Sequence, residues 1–287
     1  MIVITGASGQ LGRLVIDALL QQLPAGEIVA AVRHPAKVAD LAARGVQVRL
    51  ADYDQPDTLA AAFAGADQLL LISGSEVGRR VPQHRAVIAA AKAAGVGLLA
   101  YTSLLHADTS PLPLAAEHRE TEALIGAAGL PAVILRNGWY TENYLAGVPV
   151  ALQHGALLGS AGDGRIASAA RADYAAAAAA VLTRADQAGR IYELAGDEAY
   201  TLAELAAEIT RQAGQTVAYQ NLPASEFTAV LLAAGLPEGL ATLLAESDVG
   251  ASKGGLFDAS RQLSQLIGRP TTPFAALLKS QLAAQAA

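Results

Sequence analysis

MIVITGASGQLG, residues 1–12, carries a short apolar run, Ile2–Ile4, into Thr5 and then into glycines at 6, 9 and 12. A strand that ends in a glycine-rich turn and opens a helix is a phosphate cradle. Gly6 permits the tight turn, Gly9 lets backbone approach a pyrophosphate, and Gly12 allows helix and strand to pack closely. Ala7, Ser8, Gln10 and Leu11 complete the loop. Unpaired N–H groups and the dipole at the helix N-terminus favour an anion there. The alternative is a structural turn that holds no ligand.

Outward from this stretch, apolar runs alternate with helical patterns. The runs at Ile2–Thr5, Ile28–Val32, Val46–Leu50, Leu69–Ile72, Leu98–Thr102 and Val133–Leu135 read as strands. Leu11–Leu20, Leu59–Phe63 and Val87–Ala94 have helical spacing, and Gly45, Gly95 and Gly129 stand where helices end. Repeated strand–helix–strand units predict an α/β fold, a Rossmann-type doubly wound parallel sheet. After Trp139 the rhythm breaks. A short hairpin is expected in HGALLGSAGDGRIAS, then a helix capped by Asp173 or a neighbour, and further helices at Thr201–Gln212, Ser225–Ala234, Gly239–Glu246 and Phe274–Ala283. This predicts a dinucleotide-binding domain over 1–138 and a smaller, mostly helical, substrate-side C-terminal lobe over 139–287, with the run at about 191–196 returning to the first sheet.

Composition narrows the function. The 287 residues are 53% hydrophobic, much of it alanine, and the longest apolar candidate, YAAAAAAVL at Tyr174–Leu182, is too short to span a bilayer. No basic segment followed by an apolar one opens the chain, so the expected location is the cytoplasm, without membrane insertion. Cysteine is absent, which excludes disulfides, thiolate catalysis and thiolate-held metals. No pair among the five histidines has metal-binding spacing, so no metal is expected. A net charge of −6 without a concentrated basic run disfavours nucleic acid. A homo-oligomer is compatible with the sequence, which leaves that state open.

The cradle reads TGASGQLG, Thr-Gly-x-x-Gly-x-x-Gly, and this spacing resembles the short-chain dehydrogenase/reductase superfamily. About 20 residues on, an NAD site usually places an acidic residue against the ribose 2′-hydroxyl. Here Val32 is followed by Arg33, with Lys37 a turn later. A guanidinium suits a 2′-phosphate that a carboxylate would repel, so NADPH is expected over NADH unless Arg33 is simply a solvated surface residue. Asp52, after the third strand, either reaches the adenine or caps the next helix.

That superfamily reduces carbonyls with a Tyr-x-x-x-Lys pair on the helix after strand five. The matching stretch, AAEHRETEALI, has His118 at the tyrosine position and Glu122 at the lysine position. Tyr101 is no substitute, because Leu105 stands four residues on. The stretches SEVGRRVPQHRAVIAAAKAAGV, YTSLLHADTSPL, LRNGWYTENYLA, GDGRIASAARADYAAAAA and ESDVGASKGGLFD extend the likeness along nearly the whole chain. Together they resemble the atypical, NmrA-like branch of the superfamily, and within it the bacterial quinone-reducing members. The resemblance implies a flavin-free enzyme that passes a hydride from NADPH to a quinone. A quinone is already electrophilic and gains aromaticity on reduction, so it needs less general-acid help than a ketone. A second reading within the branch is a regulatory protein that senses NADP(H) without turnover. A nucleotide-sugar epimerase or dehydratase fits less well without the Tyr–Lys pair.

Ligands of open α/β sheets lie beyond the carboxyl ends of the strands. The loops there carry Gly6–Gly12, then Ser73, Gly74 and Ser75, then Thr102 and Ser103 within the stretch to His106, then Asn137, Gly138, Trp139 and Tyr140 on to Asn143. Trp139 and Tyr140 either form a flat wall for nicotinamide or quinone or pack against the smaller lobe. Asn143 offers a neutral donor and acceptor to a quinone oxygen or the nicotinamide amide, or else serves as a helix cap. Tyr140, Asn143 and His118 are the catalytic candidates, with His118 either donating a proton or holding its helix in place. Lys253, in GASKGG, faces the cleft or lies on a surface loop.

Overall fold

A computed structural model of the chain describes residues 1–286. The elements run β1 (Ile2–Thr5), α1 (Gln10–Leu20), β2 (Ile28–Val32), α2 (Ala39–Ala43), β3 (Gln47–Leu50), α3 (Pro56–Phe63), β4 (Gln68–Leu71), α4 (Arg80–Ala93), β5 (Leu98–Leu104), α5 (Ala115–Ala128) and β6 (Ala132–Asn137). There follow α6 (Thr141–Leu145), α7 (Val148–His154), β7 (Ala156–Gly159), α8 (Arg171–Thr183), β8 (Ile191–Leu194), α9 (Leu202–Ala213), β9 (Ala218–Asn221), α10 (Ala224–Ala233), α11 (Glu238–Ser252), α12 (Gln262–Ile267) and α13 (Phe274–Ala286).

Seven strands form a parallel sheet in the order β3-β2-β1-β4-β5-β6-β8. Every residue of β1, β2 and β5 is buried, as expected of parallel strands covered on both faces. That is why they read as unbroken apolar runs. Val3, Val29, Leu69, Leu71, Leu99 and Tyr101 meet Leu59, Phe63, Val87 and Ile88 in one core cluster. On the helical side α1 packs against α8, whose alanines at 175, 177, 178 and 179 are buried and let the two axes approach. Gly45, Gly95 and Gly129 take φ of +88°, +70° and +68° and end their helices as the sequence predicts. α4 begins at Arg80, earlier than its apolar spacing suggests, because Pro82 in the first turn needs no N–H partner.

The chain divides into two compact units that interleave along the sequence. The first comprises 1–107, 116–137 and 171–192; the second comprises 108–115, 138–170 and 193–287. The chain passes between the units five times, one passage falling at 137/138, and β8 joins the large sheet.

In the second unit the expected hairpin is not formed. β7 pairs in parallel with β9, Ala156 opposite Ala218 and Gly159 opposite Asn221. The glycines after β7 turn the chain away, and the partner strand arrives only after α9. α8 starts at Arg171, so Asp173 lies buried in the first turn, inside the helix and not at the position before it. α9 does carry a capping box, in which Thr201 and Glu204 each accept the other's backbone N–H. Among the described residues no helix is long and apolar enough to cross a membrane.

Candidate active site

The sheet order reverses between β1 and β4, so the crossovers leave in opposite directions and a crevice opens at the carboxyl ends of these two strands. Thr5 fixes this point: its hydroxyl donates to the Leu70 carbonyl at 3.1 Å and accepts the Ile72 N–H at 3.1 Å. The glycine loop starts there. Gly6 has φ +61° and its carbonyl accepts the Gly9 N–H at 2.9 Å. A Cβ on Gly12 would stand 2.5 Å from Gly6 O and 2.8 Å from Ala7 Cα, so only glycine lets α1 start this close to the turn. α1 has no side-chain N-cap bond and no acidic residue in its first turn, which leaves its N-terminal dipole uncompensated for an anion. Ala7 and Leu11 are buried beneath the loop, while Ser8, Gly9 and Gln10 face solvent.

Arg33 follows β2 and is exposed; its Nη1 donates to Glu76 Oε1 at 2.7 Å. Lys37 is exposed on the short turn after it, and its carbonyl accepts from Arg13 at 2.5 Å. Asp52 is committed to a local turn: Oδ1 accepts the Asp54 N–H at 3.1 Å and Oδ2 the Gln55 amide at 2.8 Å. These bonds build a turn ahead of α3, whose N-cap residue, Gln55, has no side-chain cap bond.

The loop after β4 is latched from below. The Ser73 N–H reaches Thr102 Oγ1 at 2.9 Å, the Gly74 N–H reaches His84 Nε2 at 3.0 Å, and the Gly74 carbonyl accepts from Arg80 Nε. The Gly78 N–H donates to Glu117 Oε1 at 2.8 Å, and Ser75 lies exposed between these anchors. Because His84 Nε2 accepts, its Nδ1 carries the hydrogen and donates to Thr121 Oγ1 at 3.0 Å. Burial, reinforced by Arg80, pushes the His84 pKa down to about 4, so it stays a neutral acceptor.

The positions of the missing Tyr–Lys pair are absorbed into the interior. His118 is buried and its Nδ1 shares a hydrogen bond with the Tyr101 hydroxyl at 2.8 Å. Its pKa falls to about 3, mainly through burial, then through Arg80 and His84. A neutral imidazole of this kind has no proton to release as an acid near neutrality, which argues for the positioning alternative. Glu122 accepts from Ser103 Oγ and forms a two-point ion pair with Arg136, at 3.0 and 2.8 Å. Sequence reading missed this pair, although an arginine inside the apolar strand AVILRN was its signal. At the same edge Asn137, the last residue of β6, is buried and its Oδ1 accepts no hydrogen bond from the described residues, whereas its carbonyl accepts the Leu105 N–H at 2.9 Å.

Gly6–Gly12, Arg33, Ser73–Ser75, Thr102, Ser103 and Asn137 therefore share the carboxyl edge of one sheet. The chain continues from Asn137 into the second unit with Gly138, Trp139, Tyr140 and Asn143. There the Gly138 N–H donates to Leu194 O at 2.8 Å, and Trp139 and Thr141 bracket Ala169 through backbone bonds at 3.1 and 3.0 Å. Tyr140 stands at the N-cap of α6 without a side-chain cap bond, and the Asn143 N–H donates to its carbonyl at 3.0 Å. Trp139, Tyr140 and Asn143 are half-buried, and Lys253 is exposed at the end of α11.

A reversed parallel sheet with an uncapped glycine loop at its switch point defines a dinucleotide-binding protein. The family described as NAD(P)H-binding matches residues 6–185, and the chain belongs to that family, in its NmrA-like group. Across 275 residues, 96% of each chain, it is 62% identical to quinone oxidoreductase 2 of Escherichia coli. It is similar, with 60% identity and a TM-score of 0.97 over 98% of this chain and 100% of the other, to the crystal structure of the NADPH-dependent quinone oxidoreductase QOR2 of Escherichia coli complexed with NADPH. It is also 31% identical, over 78% of this chain and 75% of the relative, to an NmrA-like family domain-containing oxidoreductase of Aspergillus flavus.

Proposed function

We propose that this protein reduces quinones to hydroquinones with NADPH. The observation that carries the reading is the 62% identity to a quinone oxidoreductase over 96% of both chains. NADPH supplies a hydride, which delivers both electrons, and one proton from solvent completes the hydroquinone. The chain's own residues bind and orient. The N–H groups at the start of α1 face the pyrophosphate, Arg33 and Lys37 meet the 2′-phosphate, and the loop held by Thr102 and His84 lines the nucleotide. The buried, unfilled acceptor of Asn137 suits a donor such as the nicotinamide carboxamide.

In this reading Trp139 and Tyr140 present flat faces that exclude water, and the Asn143 amide stabilises negative charge as it develops on the quinone oxygen. His118 is a positioning residue that holds α5 to β5 through Tyr101. Such a site lacks a strong general acid, and an activated acceptor does not require one. No flavin or metal takes part, the quinone is a small molecule, and the protein works in the cytoplasm. The test is to mix the purified protein with NADPH and a simple benzoquinone and follow the cofactor's absorbance. Saturable oxidation supports the proposal; tight NADPH binding without oxidation of any of several quinones supports a nucleotide sensor instead.

A further inference from the structure

Arg33 leaves the carboxyl end of β2, Glu76 lies on the loop after β4, and β1 runs between those strands. Their ion pair, 2.7 Å long, therefore reaches across the carboxyl end of β1, where the glycine loop begins. Ile72, at the root of the β4 loop, lies within 3.4 Å of where a Gly6 side chain would begin. Glu76 does not reach Arg33 by chance of a long side chain alone. Its other oxygen accepts from Gln83 Nε2 at 3.2 Å and faces Arg79 Nη1 at 3.4 Å. Arg79 is itself held by Asp54 at 3.0 Å, and the loop's backbone is pinned at Gly74 and Gly78. The carboxylate is presented to Arg33 by a braced loop.

We infer that Glu76 is a specificity-determining residue that tempers the preference for NADPH: its carboxylate occupies the guanidinium that the 2′-phosphate must claim, so that a ligand bearing that phosphate binds Arg33 only by displacing it. The inference rests on the reading of Arg33 as the 2′-phosphate contact. A carboxylate carries one negative charge and a ribose phosphate nearly two, so the phosphate wins the guanidinium at the end of a bound dinucleotide. Glu76 then remains beside it, through Gln83 and Arg79, as a nearby like charge. Both effects weaken the binding of a 2′-phosphorylated ligand. Neither acts on a ligand with a bare 2′-hydroxyl, which leaves the pair intact. Arg33 is about half exposed, with 53% of its side chain accessible, so the contribution is that of a surface pair with a screened repulsion added.

Calorimetry on the full chain with 2′,5′-ADP and 5′-AMP isolates the phosphate. Glu76→Gln, which keeps an acceptor for Gln83 and loses the charge, should tighten 2′,5′-ADP roughly three- to tenfold and leave 5′-AMP within about twofold. Raising salt should shrink the gap between wild type and variant. Arg33→Ala should weaken 2′,5′-ADP and abolish the effect of Glu76→Gln in the double variant. Unchanged or weaker 2′,5′-ADP binding in Glu76→Gln, or equal tightening of both ligands, overturns the competition while Arg33 retains its role. If Arg33→Ala leaves 2′,5′-ADP untouched, the assignment of Arg33 fails, and the role of Glu76 fails with it. Melting curves check that each variant is folded, as the exposed position of Arg33 and the half-buried position of Glu76 predict.

Discussion

Glu122 and Arg136 face each other with two hydrogen bonds, Nε to Oε1 at 3.0 Å and Nη2 to Oε2 at 2.8 Å, and with only 15% and 9% of their side chains exposed. The carboxylate thus stands at the lysine position of the Tyr-x-x-x-Lys pattern, and it ties α5 to β6.

The first prediction concerns that tie. Removing one member of a buried pair leaves the other charge desolvated and alone, which costs on the order of 3 kcal/mol. Glu122→Gln should lower the unfolding free energy by about that amount in urea titrations. Glu122→Lys should be worse, because it sets an ammonium against the Arg136 guanidinium. A Glu122→Lys protein as stable as wild type would show that the pair contributes nothing.

The second prediction concerns the cradle. Gly12→Ala forces its Cβ against Gly6 O and Ala7 Cα, both backbone atoms with nowhere to yield. The loop must open, and NADPH affinity should fall by roughly tenfold or more. Gly9→Ala, whose Cβ would sit 3.2 Å from Gly6 O, should strain the folded loop less. Melting temperatures rank that strain and fluorescence titration of bound NADPH reads the affinity; a Gly12→Ala protein that melts and binds like wild type would contradict the close-approach argument.

The cradle was legible because its chemistry is local. Glycine spacing, the apolar strand before it and the helix after it lie within one βα unit, and the fully buried strands announce a parallel sheet by their unbroken apolar runs. Arg33, the proposed 2′-phosphate contact, was legible for the same reason, because it directly follows β2. What escaped depends on distant partners. Nothing near Glu76 says that it meets Arg33, and nothing near Ala156–Gly159 says that the strand pairs with Ala218–Asn221 rather than folding back on itself. His118 and Glu122 were legible as departures from a catalytic pair, but their burial, which neutralises one and pairs the other, follows from β5 and β6 packing over α5.

The third prediction is a pH dependence. His84 and His118 are held neutral in the fold down to about 4 and 3, chiefly by burial, while the unfolded chain protonates histidine below about 6.5. Stability should therefore fall as pH drops from about 6.5, by about 1.4 kcal/mol per pH unit for each histidine. Asp248 acts in the opposite sense. It accepts the Ser160 N–H at 2.9 Å and the Tyr144 hydroxyl at 3.2 Å, and burial raises its pKa to about 6. Between about 6 and 4 the folded state keeps this proton and the unfolded state loses it. Two histidines against one carboxyl leave a net loss toward acid, and Asp248→Asn should steepen it. Melting temperatures from pH 7 to pH 4.5 that stay flat in both proteins would contradict this.

The fourth prediction separates binding from chemistry at Asn143. If its amide meets charge that exists only as the quinone is reduced, Asn143→Ala should lower kcat by about tenfold or more. NADPH affinity should shift no more than about threefold. A loss confined to NADPH affinity, with kcat intact, would place the amide on the cofactor instead.

The central claim is direct hydride transfer from NADPH to a quinone, and isotopic transfer measures it. NADPH deuterated at the transferable position of the nicotinamide, turned over anaerobically with excess benzoquinone, should be consumed one for one with hydroquinone formed and should react more slowly than unlabelled NADPH when that step limits the rate. No free semiquinone should accumulate, and neither added flavin nor a chelator should change the rate. NADPH that binds tightly yet is never oxidised, or oxidation that appears only when flavin is supplied, would contradict the account.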